Sequence, residues 1–110
     1  MYAFLSYQTA ERAIAGRVQA LLDGLGVRSF MAHEDIDISE EWRLTILAEL
    51  QKADLFVPLL SAAYLGSVWC VQESGIAAQR DGLTVIPLSL DGTTPPGFIG
   101  HIQSKRVDPA

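Results

Sequence analysis

A glutamate stands on an otherwise apolar helical stripe in the second half of the chain. In the segment WCVQESGIA, Trp69, Glu73, Ile76 and Ala77 recur at the three- and four-residue steps that share one face of an α-helix. A carboxylate on such a face costs free energy unless it has a partner or a chemical task. Two interpretations remain open: a carboxylate that contacts a ligand, or a surface glutamate at the edge of the helix, which is the more common case.

An acidic loop over residues 32–38 is the second feature of chemical interest. It contains His33, Glu34, Asp35 and Asp37, all of which are side chains that can bind metals. Their spacing implies no particular ligand geometry. The sequence therefore favours a solvated loop, and we predict no metal site.

Cys70 and Trp42 each occupy the first turn of a predicted helix. A thiol in that position can become reactive, but no base partner is evident, so we expect Cys70 to be a packed, inert thiol. Trp42 follows the acidic loop directly. It is either a core anchor or a platform that stacks on an aromatic ligand.

Alternating strand-like and helix-like segments must position these groups. Short apolar runs predict strands, and apolar residues at a 3.6-residue period predict helices. The predicted strands are residues 2–6, 27–31, 55–60, 83–88 and a weaker 103–107. The first predicted helix covers residues 10–24 and buries Ile14, Val18, Leu21, Leu22 and Leu25. The second begins at Glu40 and buries Trp42, Ile46 and Leu50. The third covers residues 68–81 and is capped by Ser67.

Strands that alternate with single helices indicate right-handed crossovers and a parallel sheet. We therefore predict an α/β fold of three layers with a central parallel sheet of five strands. Pro58 and Pro87 cannot donate a ladder hydrogen bond, so we expect them near strand ends or at bulges. The pattern shows no final helix after the fifth strand. We therefore expect an exposed apolar patch on the face that the first helix covers.

Length and composition limit the classes of protein to consider. Residues 1–110 suffice for one domain, and a hydrophobic content of 49% excludes a disordered chain. No apolar run approaches the roughly 20 residues of a membrane span, and no leader-like segment precedes the first strand. With a single cysteine, these features predict a cytoplasmic protein that does not act at a membrane. A net charge of −5 disfavours direct binding to nucleic acid.

The candidate site is the edge of the sheet at which the strands end, because open parallel sheets bind ligands there. The loops after residues 6, 31, 60 and 88 form this edge. They lack the acidic residues of a phosphate-accepting receiver, the glycine pattern of a dinucleotide-binding fold and the hydroxyl-rich loop of a flavodoxin. We therefore predict no resident cofactor.

Ordered segments along nearly the whole chain resemble the motifs of Toll/interleukin-1 receptor (TIR) domains. The segments are residues 4–7 (FLSY), 30–42 (FMAHEDIDISEEW), 55–61, 67–73 (SVWCVQE), 85–88 and 96–99. The second segment resembles the bacterial branch of the family. The resemblance implies a flavodoxin-like fold with a five-stranded sheet.

The resemblance also implies an activity. Many bacterial, plant and neuronal TIR domains cleave NAD⁺ at the bond between nicotinamide and ribose. Their catalytic glutamate lies on the helix called αC, four residues after a tryptophan or a similar residue, and Glu73 after Trp69 matches this pattern. The substrate-binding residues that the resemblance implies are Ser6, Tyr7, Gln8, Trp42 and Trp69.

Two functions from different classes follow from the resemblance. The first is an NAD⁺ glycohydrolase or ADP-ribosyl cyclase in bacterial immune (anti-phage) signalling, which takes NAD⁺ as substrate and releases ADP-ribose or a cyclic isomer. It would be active on self-association through the BB loop (residues 32–40) and the αC region. The alternative is a non-catalytic TIR scaffold that binds other TIR domains. Glu73 favours the enzyme, because a scaffold needs no carboxylate on that stripe.

Overall fold

A computed structural model describes residues 1–31 and 40–107, apart from the side chains of residues 40–42. The strands are β1 (Tyr2–Ser6), β2 (Arg28–Met31), β3 (Leu55–Leu60), β4 (Thr84–Val85), β5 (Leu88–Ser89) and β6 (Lys105–Arg106). The α-helices are α1 (Arg12–Gly24), α2 (Glu40–Lys52), α3 (Ala62–Leu65) and α4 (Val68–Gln79). Short 3-10 turns cover Thr9–Glu11 and Gly97–Ile99. The predicted acidic loop over 32–38 lies outside the described residues.

The sheet is parallel throughout, with strand order β2-β1-β3-β5-β6 and β4 paired to the first half of β3. Because β4 and β5 are two halves of the strand predicted over 83–88, the sheet has the five strands that the sequence predicts. The weak fifth strand is confirmed as the two-residue β6.

The fourth predicted strand is broken opposite a proline of β3. Pro87 lies between β4 and β5, near strand ends, as expected of a residue without an amide proton. Pro58 is the fourth of six residues in β3, so of the two expected places, a strand end or a bulge, the strand end is wrong for it; Pro58 lies instead where the pairing of β3 passes from β4 to β5. The carbonyl groups of Phe56 and Leu60 accept hydrogen bonds from the amides of Ile86 and Leu90. Backbone groups of a strand point in the same direction at every second residue, so those of Pro58 also face β4 and β5. The amide proton that Pro58 lacks would therefore point at the residues between β4 and β5.

Side chains of β1 alternate between two cores. Ala3 and Leu5 pack on the face covered by α1, whereas Phe4 packs on the face covered by α2 and α4. The rings of Phe4 and Phe56 stack on this second face with their centroids 5.8 Å apart. The same alternation directs Ser6 toward α2 and α4, which decides the composition of the site.

Helix α1 buries a narrower stripe than its sequence predicts. Ile14, Val18 and Leu22 pack against the sheet, but Leu21 and Leu25 are 67% and 72% exposed. The burial predicted for these two leucines is wrong, because both lie on the flank of the helix rather than over the sheet. They provide exposed apolar surface beside α1. Between β5 and residue 107, the chain forms a 3-10 turn and β6 but no α-helix.

None of the helices within the described ranges has the length and apolar character that crossing a bilayer requires.

Candidate active site

Helix α4 presents Glu73 to the interior of the domain. Ser67 caps the helix by accepting a hydrogen bond from the Cys70 amide at 3.2 Å. The buried residues Cys70, Glu73 and Ala77 then follow at helical spacing, and Glu73 is only 2% exposed. The interpretation of Glu73 as a surface residue is therefore wrong. Cys70 is fully buried, which agrees with the expected packed thiol.

The Glu73 carboxylate is held by a residue of β1. Ser6 Oγ donates a hydrogen bond to Glu73 Oε1 over 2.6 Å, and both residues are buried. Hydrogen bonds to a carboxylate are short and strong, and they offset part of the free energy that burying the charge costs. The structure thus joins two residues that the resemblance implies for the site, 67 positions apart in the chain.

The Tyr64 hydroxyl extends this arrangement. Tyr64 Oη lies 2.8 Å from Ser6 Oγ and 3.2 Å from the carbonyl oxygen of Cys70. Tyr64 is fully buried in α3, the single turn that follows β3. Sequence reasoning missed this residue, since nothing in its local pattern indicates a partner on β1.

A cleft of about 230 Å³ lies between α2 and α4, and Glu73 is one of its lining residues. We call it the α2–α4 cleft. Its lining residues are Arg43, Ile46, Leu47, Trp69, Gln72, Glu73 and Ile76. The cleft is smaller than the ~300–1,000 Å³ typical of sites that enclose a whole ligand. Its size therefore suits one part of a dinucleotide, such as a ribose with its base.

Arg80 fixes the two helices that form the walls of this cleft. Its guanidinium donates to the carbonyl oxygens of Leu50 at 2.7 Å and Ala53 at 2.6 Å, at the end of α2. A cation at this position satisfies backbone acceptors and complements the helix dipole. The anchor of α2 to the end of α4 lies at the opposite end of both helices from Arg43 and Trp69.

Two of the predicted substrate-binding residues lie away from the cleft. Tyr7 is buried in the core beneath α1, on the opposite face of the sheet from Glu73. The Gln8 side chain accepts a hydrogen bond from the Ala10 amide at 2.6 Å and caps the turn before α1. Trp69 does line the cleft. Trp42 belongs to α2 by its backbone, but its side chain lies outside the described part of the chain.

Arg43 is a cleft residue that sequence reasoning missed. It is partly buried on α2, one turn before Ile46 and Leu47. The spacing of 43, 46, 47 and 50 places it on the buried stripe of α2, and this spacing is the signal that could have identified it. It brings a positive charge to a site that also contains a carboxylate.

Another concave surface borders α4 near Phe98. A cleft of about 410 Å³ is lined by Gly75, Ala78, Gln79 and Phe98, and it contains no ionisable side chain. Across residues 1–31 and 40–107, no group of three His, Cys, Asp or Glu side chains could hold a metal ion. The loop residues His33, Glu34, Asp35 and Asp37 lie outside these ranges.

A family model described as "TIR domain" matches residues 3–108. The chain therefore belongs to the TIR-domain family, as its sequence motifs predict. No curated protein sequence matches the chain significantly.

Solved structures of TIR domains share the fold. The TIR domain of the Toll-related receptor TRR-2 from the lower metazoan Hydra magnipapillata superposes with a TM-score of 0.77 at 14% identity, over 94% of this chain and 82% of that chain. The TIR domains of the activated Roq1 resistosome, which directly recognizes the pathogen effector XopQ, give a TM-score of 0.68 at 20% identity. That match covers 82% of this chain and 57% of that chain. At these identities the likeness establishes the α/β fold with its parallel five-stranded sheet.

Proposed function

We propose that this TIR domain cleaves NAD⁺ at the nicotinamide–ribose bond, as an NAD⁺ glycohydrolase or ADP-ribosyl cyclase. The observation that carries the proposal is the buried Glu73 carboxylate, held by Ser6 at 2.6 Å beside a cleft that Trp69 also lines. Membership of a family that includes NAD⁺-cleaving enzymes supports the same activity. We place the reaction in bacterial immune signalling.

The chemistry needs a fixed negative charge more than a proton donor. When the C1′–N bond breaks, its electron pair leaves with nicotinamide, which departs as a neutral molecule. The ribose is left with oxocarbenium-like positive charge, which the Glu73 carboxylate would stabilise from a water-poor site. Water attack with loss of a proton then gives ADP-ribose. Attack by a nucleophile within the molecule gives a cyclic isomer.

The remaining cleft residues suit the other parts of NAD⁺. Trp69 offers an aromatic face beside the carboxylate, on which a planar ring can stack. Arg43 offers a cation for the diphosphate. We assign Ser6 to the support of Glu73 rather than to direct contact with substrate, because its hydroxyl is buried against the carboxylate. No resident cofactor enters this scheme.

Self-association is the second part of the proposal. The BB loop (residues 32–40) lies outside the described residues except for Glu40, but the αC region, here α4, exposes Val68 and Val71. Phe98, beside α4, is 82% exposed. Apolar surface of this kind is typical of protein contacts, and the Roq1 TIR domains belong to an assembled resistosome. We propose that assembly through this surface completes the site.

A non-catalytic scaffold is the second candidate function, and the same exposed apolar surface favours it. The experiment that separates the two is incubation of the concentrated protein with NAD⁺, followed by chromatography of the products. The enzyme releases one nicotinamide for each ADP-ribose or cyclic isomer formed. Recovery of NAD⁺ unchanged, by protein that has been shown to self-associate, would contradict the enzyme and favour the scaffold.

A further inference from the structure

The hydroxyl of Tyr64 lies behind the serine that holds the proposed catalytic carboxylate. Tyr64 Oη is 2.8 Å from Ser6 Oγ, which is itself 2.6 Å from Glu73 Oε1. Tyr64 and Ser6 are fully buried, and Glu73 is 2% exposed. The three side chains connect α3, β1 and α4 through hydrogen bonds.

The local structure fixes the position of the tyrosine ring. Ser61 follows β3 and accepts a hydrogen bond from the Tyr64 amide at 3.1 Å, which sets the single turn of α3. The ring packs with Leu60 and Cys70 in a small buried cluster. Its hydroxyl also reaches the Cys70 carbonyl oxygen at 3.2 Å. Tyr64 is therefore placed by elements on both sides of the site before any substrate binds.

The number of hydroxyl protons on Ser6 and Tyr64 determines which group donates in each hydrogen bond. An ionised carboxylate only accepts, so Ser6 must donate its single hydroxyl proton to Glu73. The contact between Ser6 and Tyr64 then requires Tyr64 to be the donor. Its single proton is shared between Ser6 Oγ at 2.8 Å and the Cys70 carbonyl oxygen, which accepts the longer bond of 3.2 Å. A donor to Ser6 Oγ polarises the serine O–H and strengthens the bond from that serine to the carboxylate.

We propose that Tyr64 is a positioning residue: its hydroxyl holds Ser6 Oγ in the orientation that donates to Glu73 Oε1. This inference rests on the proposed NAD⁺-cleaving function. Without the Tyr64 hydroxyl, the Ser6 side chain is free to occupy other staggered rotamers, and the carboxylate loses its fixed place against the ribose. The loss falls on the transition state, so kcat changes and KM does not.

The variant Tyr64→Phe tests the role, since it removes one oxygen and keeps the packed ring. We expect kcat for nicotinamide release to fall about tenfold, the usual effect of one hydrogen bond in a buried network, with KM unchanged within about twofold. Tyr2→Phe is the matched control. It removes a phenol hydroxyl that also donates to a glutamate, Glu49, away from the cleft, and should keep the wild-type kcat. A wild-type kcat in Tyr64→Phe would overturn the proposal.

A second comparison separates positioning from a structural role. Ser6→Ala removes the group through which Tyr64 acts, so the double variant Ser6→Ala/Tyr64→Phe should lose no more activity than Ser6→Ala alone. Residues that act independently give losses that multiply. A double variant whose loss equals the product of the two single losses would therefore overturn the proposal.

A chemical-shift measurement, which needs no enzymatic turnover, tests the connection between Tyr64 and Glu73 directly. In protein labelled with ¹³C at glutamate side chains, the carboxyl carbon of Glu73 is assigned by its disappearance in Glu73→Gln. We expect its chemical shift to move in Tyr64→Phe and to stay in place in Tyr2→Phe. If the wild type releases no nicotinamide, the proposed function fails, while an unmoved Glu73 resonance separately refutes the connection from Tyr64 to the carboxylate.

Discussion

The proposed function depends first on the side chain of Glu73. Burying its carboxylate costs free energy, which is a burden on the stability of a small domain. Ser6 offsets part of this cost, but an uncharged residue of similar shape would remove the cost altogether. The proposed catalytic role would explain a buried glutamate at this cleft, since active sites commonly reduce stability in exchange for chemistry. Arg43, on the opposite wall, is the cation of the same cleft.

Arg43→Gln tests the proposed contact with the diphosphate. We expect KM for NAD⁺ to rise by about tenfold or more, as for the loss of a charge-assisted hydrogen bond, with kcat nearly unchanged. Arg43→Lys should recover part of the loss, and Arg17→Gln, on the exposed surface of α1, is the control. Steady-state kinetics of nicotinamide release gives both constants. An unchanged KM in Arg43→Gln would place the diphosphate elsewhere.

The sequence predicts part of this site and misplaces another part for a geometric reason. Of the stripe that the helical period defines, Glu73 and Ala77 are buried in α4, whereas Trp69 and Ile76 are partly exposed and line the cleft. Ser6 and Tyr7 are neighbours at the end of a strand, so their side chains face opposite sides of the sheet, and only Ser6 reaches Glu73. Tyr64 is absent from the prediction because its contact with Ser6 spans 58 residues and leaves no local pattern.

At the scale of elements, short caps and breaks determine where the site residues lie. Ser61 and Ser67 start α3 and α4 through side-chain hydrogen bonds to the Tyr64 and Cys70 amides. The sequence predicts the Ser67 cap, because serine precedes the helical period. The interruption between β4 and β5 is harder to predict, since it lies opposite Pro58 of the neighbouring strand β3.

Ser67→Ala tests the cap of α4. We expect the free energy of unfolding to fall by about 1 kcal/mol, the usual cost of losing a serine N-cap, and Ser67→Asp to retain most of the stability. Urea denaturation followed by circular dichroism measures both effects. Because Ser67 is remote from the reacting bond, kcat should change little at temperatures where the variant is folded. A Ser67→Ala protein with wild-type stability would show that packing alone fixes the start of α4.

At the scale of the whole molecule, two sides among the described residues expose apolar groups that bear on assembly. One side is the surface beside α1 with Leu21 and Leu25, and the other is formed by Val68 of α4 and Phe98 of the neighbouring 3-10 turn. Contiguous apolar surface on a protein commonly marks a site of protein contact. The proposed self-association uses the second side, since α4 also carries Glu73. Assembly and catalysis would then share one helix.

Phe98→Asp tests which side mediates assembly. We expect the variant to stay folded, because the ring is 82% exposed, and to remain monomeric at concentrations where the wild type self-associates. Turnover per protomer should rise with concentration for the wild type but stay low for Phe98→Asp. Leu25→Asp is the matched control on α1 and should behave as the wild type. Light scattering and nicotinamide release give the two readouts. Assembly lost in Leu25→Asp and kept in Phe98→Asp would assign the contact to the α1 face.

The central claim is that the Glu73 carboxylate stabilises the ribose as nicotinamide leaves, and the initial rate of nicotinamide release by Glu73→Gln tests it most directly. Glu49→Gln is the matched control, because Glu49 is a partly buried glutamate that, like Glu73, accepts a hydrogen bond from a hydroxyl, here that of Tyr2. At equal concentrations of assembled protein, the account predicts a loss of at least about a thousandfold in Glu73→Gln, with Glu49→Gln close to the wild type. Wild-type release by a folded Glu73→Gln protein would contradict the account.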